Sequence, residues 1–298
     1  MTKLSIIGSG LLATQIAAQA VNHGFDVTVY NHRNNFESFD KYCRWVTGEY
    51  AKFFEGFDVA EFDVRLGAVN RTGDLDAAVQ GADIVIESAV EDLAVKQELF
   101  KQVEKAAPAG SLFFTNSSTL LPTEISALMT DPSRLTAMHF GNMIWKMNIV
   151  EIMGSENTSG GLLQKGEVIA RDLGMVPVVI KNPLRGYLLN SMLIPFIDSG
   201  LRLLTGGYAN PEDIDNVWRI STSSSYGPFQ AIDIVGFKVV THTLMANPDE
   251  KLRALGAKFA SEIEQGRSGM SDGVGFYLYD ANGDIVGPNP AWHLDGTQ

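Results

Sequence analysis

Residues Lys3 to Val21 constrain the chain more than any other stretch. They run from an apolar segment (Leu4, Ile6, Ile7) through Gly8-Ser9-Gly10 into a segment carrying Leu12, Ile16 and Ala20 at four-residue spacing. The first segment reads as a buried strand and the last as one face of a helix, so the glycines sit in a strand-to-helix turn. Gly8 lets the chain turn tightly, Gly10 lets backbone approach an anion with no Cβ in the way, and Ala13 is small enough for helix and strand to pack closely. The N–H groups at the helix start, on Leu11, Leu12 and Ala13, then face a pyrophosphate. A glycine pattern alone is common in loops. The strand before it and the helix after it give this one the meaning of a dinucleotide site.

Strands and helices alternate beyond the turn. Asp26 to Tyr30 reads as a second strand, and an aromatic-rich helical stretch to about Leu66 (Phe39, Tyr42, Trp45, Tyr50, Phe53, Phe54) reads as packing surface. A short strand near Val69 and a helix from Asp74 lead to the apolar strand Asp83 to Glu87. A helix over Leu93 to Ala106 follows, with Val95, Leu99 and Val103 on one face and Pro108 and Gly110 as its stop. Further strands are expected over Ser111 to Thr115, Leu135 to Met138, Asn148 to Met153 and Val176 to Ile180, with a helix from Ser159 to Leu173 before the last. Unbroken apolar strands between helices belong to a parallel sheet covered on both faces. The expected class is therefore α/β: a Rossmann-type, doubly wound, mostly parallel sheet over residues 1–185. Asn182-Pro183-Leu184-Arg185-Gly186 breaks the pattern, and 186–298 reads as an all-helical C-terminal domain entered by a long helix from Tyr187 to about Thr205. The chain ends with a hairpin turning at Asn282-Gly283. Asp280, Asn282 and Asp284 do not make a calcium loop, because Ile285 stands where glycine is needed and Ala291 where the bidentate acid is needed. No metal site is expected.

A length of 298 residues suits about two domains. The net charge of -12 argues against nucleic acid and anionic membranes as partners, since both call for a basic face, and an anionic cofactor must find local donors. No apolar run nears the ~18 residues of a spanning helix, and the first strand is too short for a signal sequence. The single cysteine, Cys43, excludes an internal disulfide and a thiolate metal cluster. It reads as a small core residue in a protein of the reducing cytoplasm.

Two places in this frame carry chemistry. About twenty residues past the glycines, a dinucleotide fold places an acid on the ribose hydroxyls. Here that residue is Asn31, followed by His32 and Arg33, so the usual cue for NAD is missing and a cation suited to a 2′-phosphate is close by. Asn31 reads equally well as a turn residue closing its strand. The second place is the carboxyl ends of the later strands, where ligands sit in open α/β sheets. Asn116-Ser117-Ser118-Thr119 follows one strand, His139 ends the next, and Glu151 lies on the one after. A hydroxyl becoming a carbonyl must lose its proton as hydride leaves, and histidine suits that task near neutral pH. Were the two strands neighbours, Glu151 would fix the tautomer of His139 and raise its basicity. Taken alone, such a pair is more often structural than catalytic.

The chain resembles the 3-hydroxyacyl-CoA dehydrogenase family from Gly8 to Tyr277. The matching blocks are Gly8-Ser9-Gly10, Ile86 to Leu93 with Lys96, Thr115-Asn116-Ser117-Ser118, His139-Phe140 with Asn142, Val150-Glu151, Gly186 with Asn190, Tyr226-Gly227-Pro228-Phe229 and Gly275-Phe276-Tyr277. The resemblance implies an enzyme that interconverts 3-hydroxyacyl and 3-ketoacyl compounds, with His139 as general acid or base and Glu151 as its partner. Ser118 and Asn190 would hydrogen-bond substrate oxygen. It implies NAD as cofactor, with NADP left open by Asn31, held by Gly8 to Ala13, Asn31 to Arg33, Ala89, Asn116 and Ser118, with Glu91, Lys96 and Asn142 along the nicotinamide half. It further implies an acyl-CoA substrate and a place in fatty acid metabolism, while the apolar helical second half suggests a homodimer, with the C-terminal domain serving substrate binding and dimerisation.

Departures from the family pattern bear on the substrate. Gly141-Asn142-Met143 replaces the usual Phe-Asn-Pro, Trp145-Lys146 replaces smaller apolar residues, Arg185 precedes Gly186, and Ser191 stands where arginine is usual. These features are closer to the diketoreductase-like branch, whose members reduce β-diketo acids or esters. A free acid would need one cation near the reacting carbon, for which Lys146 and Arg185 are candidates, and Trp145 beside Lys146 would narrow the channel. A CoA thioester would need several, from Lys41, Lys52 and Lys146. The lysine-dependent β-hydroxyacid dehydrogenases are a poor match, because Tyr187, Leu188 and Leu189 fill the places of their lysine. A dinucleotide sensor or structural protein on this fold would not need Ser118, His139, Glu151 and Asn190 together.

Overall fold

The computed structural model describes residues 1–281 and 283–294, and the chain divides into two units after Leu188. The first unit runs β1 (Lys3–Ile7), α1 (Leu11–Asn22), β2 (Asp26–Tyr30), α2 (Glu37–Phe53), α3 (Val59–Gly67), β3 (Asn70–Thr72), α4 (Leu75–Val79), β4 (Ile84–Glu87), α5 (Leu93–Ala106), β5 (Leu112–Thr115), α6 (Pro122–Ile125), β6 (Leu135–Phe140), β7 (Ile149–Met153), α7 (Gly160–Asp172) and β8 (Val176–Ile180). The strands form one eight-stranded sheet in the order β3-β2-β1-β4-β5-β6-β7-β8, parallel except where β6 meets β7. Strand order reverses between β1 and β4, and ligands bind in the crevice beyond the carboxyl ends at such a point. Gly8 and Ser88 close those two ends.

Both faces of the sheet are covered, which explains the unbroken apolar strands. On β4, Ile84 and Ile86 join the core under α1 and α7, while Val85 joins the core formed with Phe100, Val103 and Phe113. The aromatic stretch is packing surface in part, since Phe39, Tyr50 and Phe62 are buried while Trp45, Phe53 and Phe54 reach solvent. Cys43 is half-buried against this core, and burial pushes its thiol up to about 12, so it stays protonated. Helix α5 departs from expectation. Its buried face is Lys96, Phe100 and Val103, whereas Val95 is exposed, so the stripe is rotated by one position and a lysine faces inward.

Helix α8 (Tyr187–Thr205) begins in the first unit and continues in the second, followed by α9 (Pro211–Thr222), α10 (Pro228–Val235), α11 (Phe237–Met245) and α12 (Glu250–Glu264). An antiparallel pair, β9 (Tyr277–Tyr279) and β10 (Ile285–Pro288), closes the unit, which is thus helical with one small hairpin. Asn282, one of the two expected turn residues, lies outside the described residues. The core is aromatic: Phe237 stacks on Phe259 at 4.3 Å, and Phe276 and Trp292 meet both. No helix among the described residues is long and apolar enough to cross a membrane.

Candidate active site

The glycine turn has the shape a pyrophosphate requires. Gly8 has φ +131°, a region L side chains avoid, and a Cβ there would run into the Ser88 carbonyl. Gly10 is the N-cap of α1, and a Cβ there would point into space holding no atom within 4 Å. No side chain caps this helix start and no acid lies in its first turn, so its N–H groups and positive dipole end remain for an anion. The residues present therefore fit a dinucleotide.

Asn31 does more than end a strand. Its Nδ2 donates to Ser9 Oγ at 2.5 Å and its Oδ1 accepts from the Arg33 N–H at 2.8 Å, tying the end of β2 to the glycine turn. His32 and Arg33 are exposed and contact each other, Nε2 to Nε at 3.2 Å.

Beyond β4 and β5 lies a buried charge network. Glu87 is fully buried and accepts from Lys96 Nζ, from the Ala89 N–H at 2.7 Å and from Thr115 Oγ1 at 2.6 Å. Lys96 also reaches Glu91 Oε2 at 3.4 Å, and Glu91 Oε1 takes Ser117 Oγ, the Ser118 and Thr119 N–H groups and Thr119 Oγ1 at 2.5–3.1 Å. Burial raises the Glu91 pKa, but these hydrogen bonds and the Lys96 charge outweigh it and hold the carboxyl below its ordinary value. The result is a fixed loop. Asn116 fixes it from the other side, its Oδ1 accepting the Phe140 N–H at 2.9 Å and its Nδ2 donating to Ser88 Oγ at 3.1 Å. Lys96 at 1% exposure and Asn116 at 6% are thus engaged within the protein, where they brace the loop after β5.

This loop holds Ser118 against His139. β6 and β7 are neighbours, and their register sets His139 directly opposite Glu151. His139 Nδ1 lies 3.0 Å from Glu151 Oε2, and Nε2 lies 3.2 Å from Ser118 Oγ. A carboxylate on Nδ1 assigns the ring proton to that nitrogen and leaves the Nε2 lone pair toward Ser118. Glu151 Oε1 accepts the Leu188 N–H at 2.8 Å, and the Tyr187 ring stacks on the imidazole at 4.4 Å. Neither of these last two contacts was read from the sequence.

The other expected residues are placed differently. Asn142 is exposed, and its Oδ1 lies 3.4 Å from Nε2 of Gln15, a buried α1 residue whose Oε1 also takes the Met143 N–H at 2.7 Å. Sequence reasoning missed Gln15; a glutamine among the small and apolar residues of α1 was the available signal. Trp145 is buried with Trp45 and Tyr50, at 5.6 and 5.2 Å, so it packs under α2 and is not available to narrow a channel. Lys146 next to it is exposed. Arg185 pairs with Glu124 and donates to the Thr119 carbonyl at 3.4 Å, beside Ser118. Asn190 lies half-buried in the second unit, on the first turn of α8.

A doubly wound sheet, an uncapped glycine turn at its switch point and a histidine–carboxylate pair on two adjoining strands fit a nicotinamide-dependent dehydrogenase. The family described as 3-hydroxyacyl-CoA dehydrogenase, NAD binding domain, matches residues 3–183, and the C-terminal domain of the same family matches 186–279. The chain belongs to the 3-hydroxyacyl-CoA dehydrogenase family, as an NAD-dependent oxidoreductase acting on a CH–OH group. It is 28% identical over 287 residues to the human mitochondrial hydroxyacyl-coenzyme A dehydrogenase, covering 93% of this chain and 90% of that one. It is also 28% identical to a probable 3-hydroxybutyryl-CoA dehydrogenase of Bacillus subtilis (strain 168), over 93% and 97% of the two chains. A solved diketoreductase, described as catalysing reactions of dicarbonyl compounds, superposes with a TM-score of 0.85 at 36% identity over 94% of this chain and 99% of that one.

Proposed function

We propose that His139 is the general acid and base for hydride exchange at C3 of a 3-hydroxyacyl or 3-ketoacyl compound. The observation that carries this is the line Glu151–His139–Ser118, in which a buried carboxylate orients the imidazole and Nε2 faces a hydroxyl at hydrogen-bond distance. In oxidation, Nε2 takes the substrate hydroxyl proton as the C3–H hydride departs; in reduction it returns that proton to the carbonyl oxygen. Bound NAD supplies the hydride acceptor, or NADH the donor. Glu151 stabilises the imidazolium, and Ser118, held by the Glu91 loop, orients the substrate oxygen; the family resemblance assigns Asn190 a hydrogen bond to substrate as well. Gly8 to Ala13 and Asn31 hold the dinucleotide.

For the substrate, an acyl-CoA is supported by the family and by relatives named for such compounds. A second reading, reduction of free β-keto or β,δ-diketo acids and esters, is supported by the diketoreductase likeness and by Arg185 beside the Ser118 loop. Oxidation of NADH in the presence of acetoacetyl-CoA, acetoacetate and ethyl acetoacetate tests both. If acetoacetyl-CoA is no better than the others by kcat/KM, the CoA reading fails, and if none is reduced the whole assignment fails. Lys146 is exposed, so Lys146→Ala should cost about 1 kcal/mol or less. A loss of about 2–5 kcal/mol would instead mark a carboxylate paired in a dry site. The exposed apolar side chains of Met192, Ile194, Val217 and Ile220 support a homodimer, which sedimentation would test. The single cysteine supports a reducing cytoplasm as its setting.

A further inference from the structure

We propose that Tyr187 is a positioning residue that fixes the plane of the His139 imidazole. The inference rests on the acid–base role of His139 proposed above. Two hydrogen bonds, at 3.0 Å on Nδ1 and 3.2 Å on Nε2, anchor the ring at opposite corners. Hydrogen bonds weaken steeply only at large angular deviation, so two of them leave the ring plane free to rock about the line joining its nitrogens. An aromatic ring parallel to within 22°, at 4.4 Å, blocks that motion from one face. Tyr187 is fully buried, so its ring has nowhere to swing.

The backbone holds this ring in place against its own preference. Tyr187 has φ +56°, a left-handed conformation uncommon for a bulky residue, and follows Gly186 at φ +79°. Its N–H bonds to the Leu184 carbonyl at 3.2 Å, and the next N–H, of Leu188, bonds to Glu151 Oε1 at 2.8 Å. One carboxylate therefore binds the imidazole through one oxygen and the first turn of α8 through the other, setting the Tyr187 ring and the histidine in register. The charges acting on Tyr187 are Glu91, Glu151 and Glu87, from the loop after β4, from β7 and from the end of β4, with Lys96 of α5 paired to the first and last. Ser118 faces the pair from the β5 loop.

Two variants separate ring from backbone. Tyr187→Phe keeps the ring, and kcat for NADH-dependent reduction of the best substrate of the panel should stay within about twofold. Tyr187→Gly relieves the strained φ but removes the ring, and kcat should fall about 10- to 100-fold, as misplacement of a reacting group does, with KM for NADH unchanged. Parental kcat in Tyr187→Gly, or a Tyr187→Phe as impaired as Tyr187→Gly, would overturn the inference. His139→Gln run alongside separates the two failures: if it keeps parental turnover, the acid–base reading is at fault and not the stacking.

Discussion

Glu151 and Asp233 make an instructive pair. Both are buried carboxylates, at 3% and 1% exposure, and both are well hydrogen-bonded. Glu151 divides its oxygens between the backbone of α8 and an imidazole whose far nitrogen meets Ser118. Asp233 accepts the Phe276 and Tyr277 N–H groups at 2.8 and 2.9 Å and the Tyr279 hydroxyl at 2.9 Å, while Asp215 nearby accepts from Phe229, Gln230 and Tyr277. Every partner of Asp233 is backbone or phenol within the second unit, so its network staples α10 to the hairpin and leads nowhere. Burial and perturbation alone do not mark a functional acid; a chain of contacts that ends on a group able to exchange a proton does.

The comparison breaks first at His139. If the Glu151 chain serves chemistry, His139→Gln should lower kcat by about 10²- to 10⁴-fold with cofactor affinity and Tm nearly unchanged. Glu151→Gln should cost less, since an amide still orients the ring. Turnover of His139→Gln within about twofold of the parent would place Glu151 in the same structural category as Asp233.

Asp233 sharpens the other side. Burial pushes it up to about 7 against the hydrogen bonds from Phe276, Tyr277 and Tyr279, with Asp215 adding to the rise. The Tyr279 hydroxyl can reverse from donor to acceptor and so accommodate the protonated acid. A folded pKa above the unfolded one means that the native state binds the extra proton, so this contribution to stability is greatest at low pH and is lost as pH rises from about 4 through 7. The loss is at most about 4 kcal/mol from a rise of roughly three pH units. Asp233→Asn should flatten this part of the stability–pH curve while kcat at neutral pH is unaffected. A curve unchanged by Asp233→Asn would mean that Asp233 stays ionised in the folded protein.

What was legible in the sequence follows the range of the interactions. The glycine turn, the apolar strands and the helix caps are local, and His139 stands near the end of one such strand. Its register opposite Glu151 came from β6 and β7 running antiparallel, which apolar runs alone do not reveal. The burial of Lys96 was hidden for the same reason: the helix pattern alone does not turn a lysine inward, and its partners Glu87 and Glu91 come from another strand end. The packing of Trp145 against Tyr50 and the bond from the Phe140 N–H to Asn116 were hidden because these partners are distant in sequence. Tyr187 reads as an ordinary helix residue until its positive φ is seen.

The smallest expected effect lies where the sequence left two readings of one residue. Asn31 is bonded on both sides, its Nδ2 to Ser9 Oγ and its Oδ1 to the Arg33 N–H, and this places it against the glycine turn that holds the dinucleotide. Asn31→Asp would keep the acceptor for Arg33, and the Ser9 hydroxyl can turn to donate to the new oxygen, so the local fold should survive. The added charge would repel a 2′-phosphate while still accepting ribose hydroxyls. In a partly exposed position such a charge is worth about 1 kcal/mol, so the ratio of kcat/KM for NADH over NADPH should rise roughly fivefold. A shift in that ratio with unchanged Tm would assign Asn31 to the ribose. An unchanged ratio would return it to the role of a turn residue, leaving cofactor choice to the exposed His32 and Arg33, where Arg33→Ala would then carry the effect.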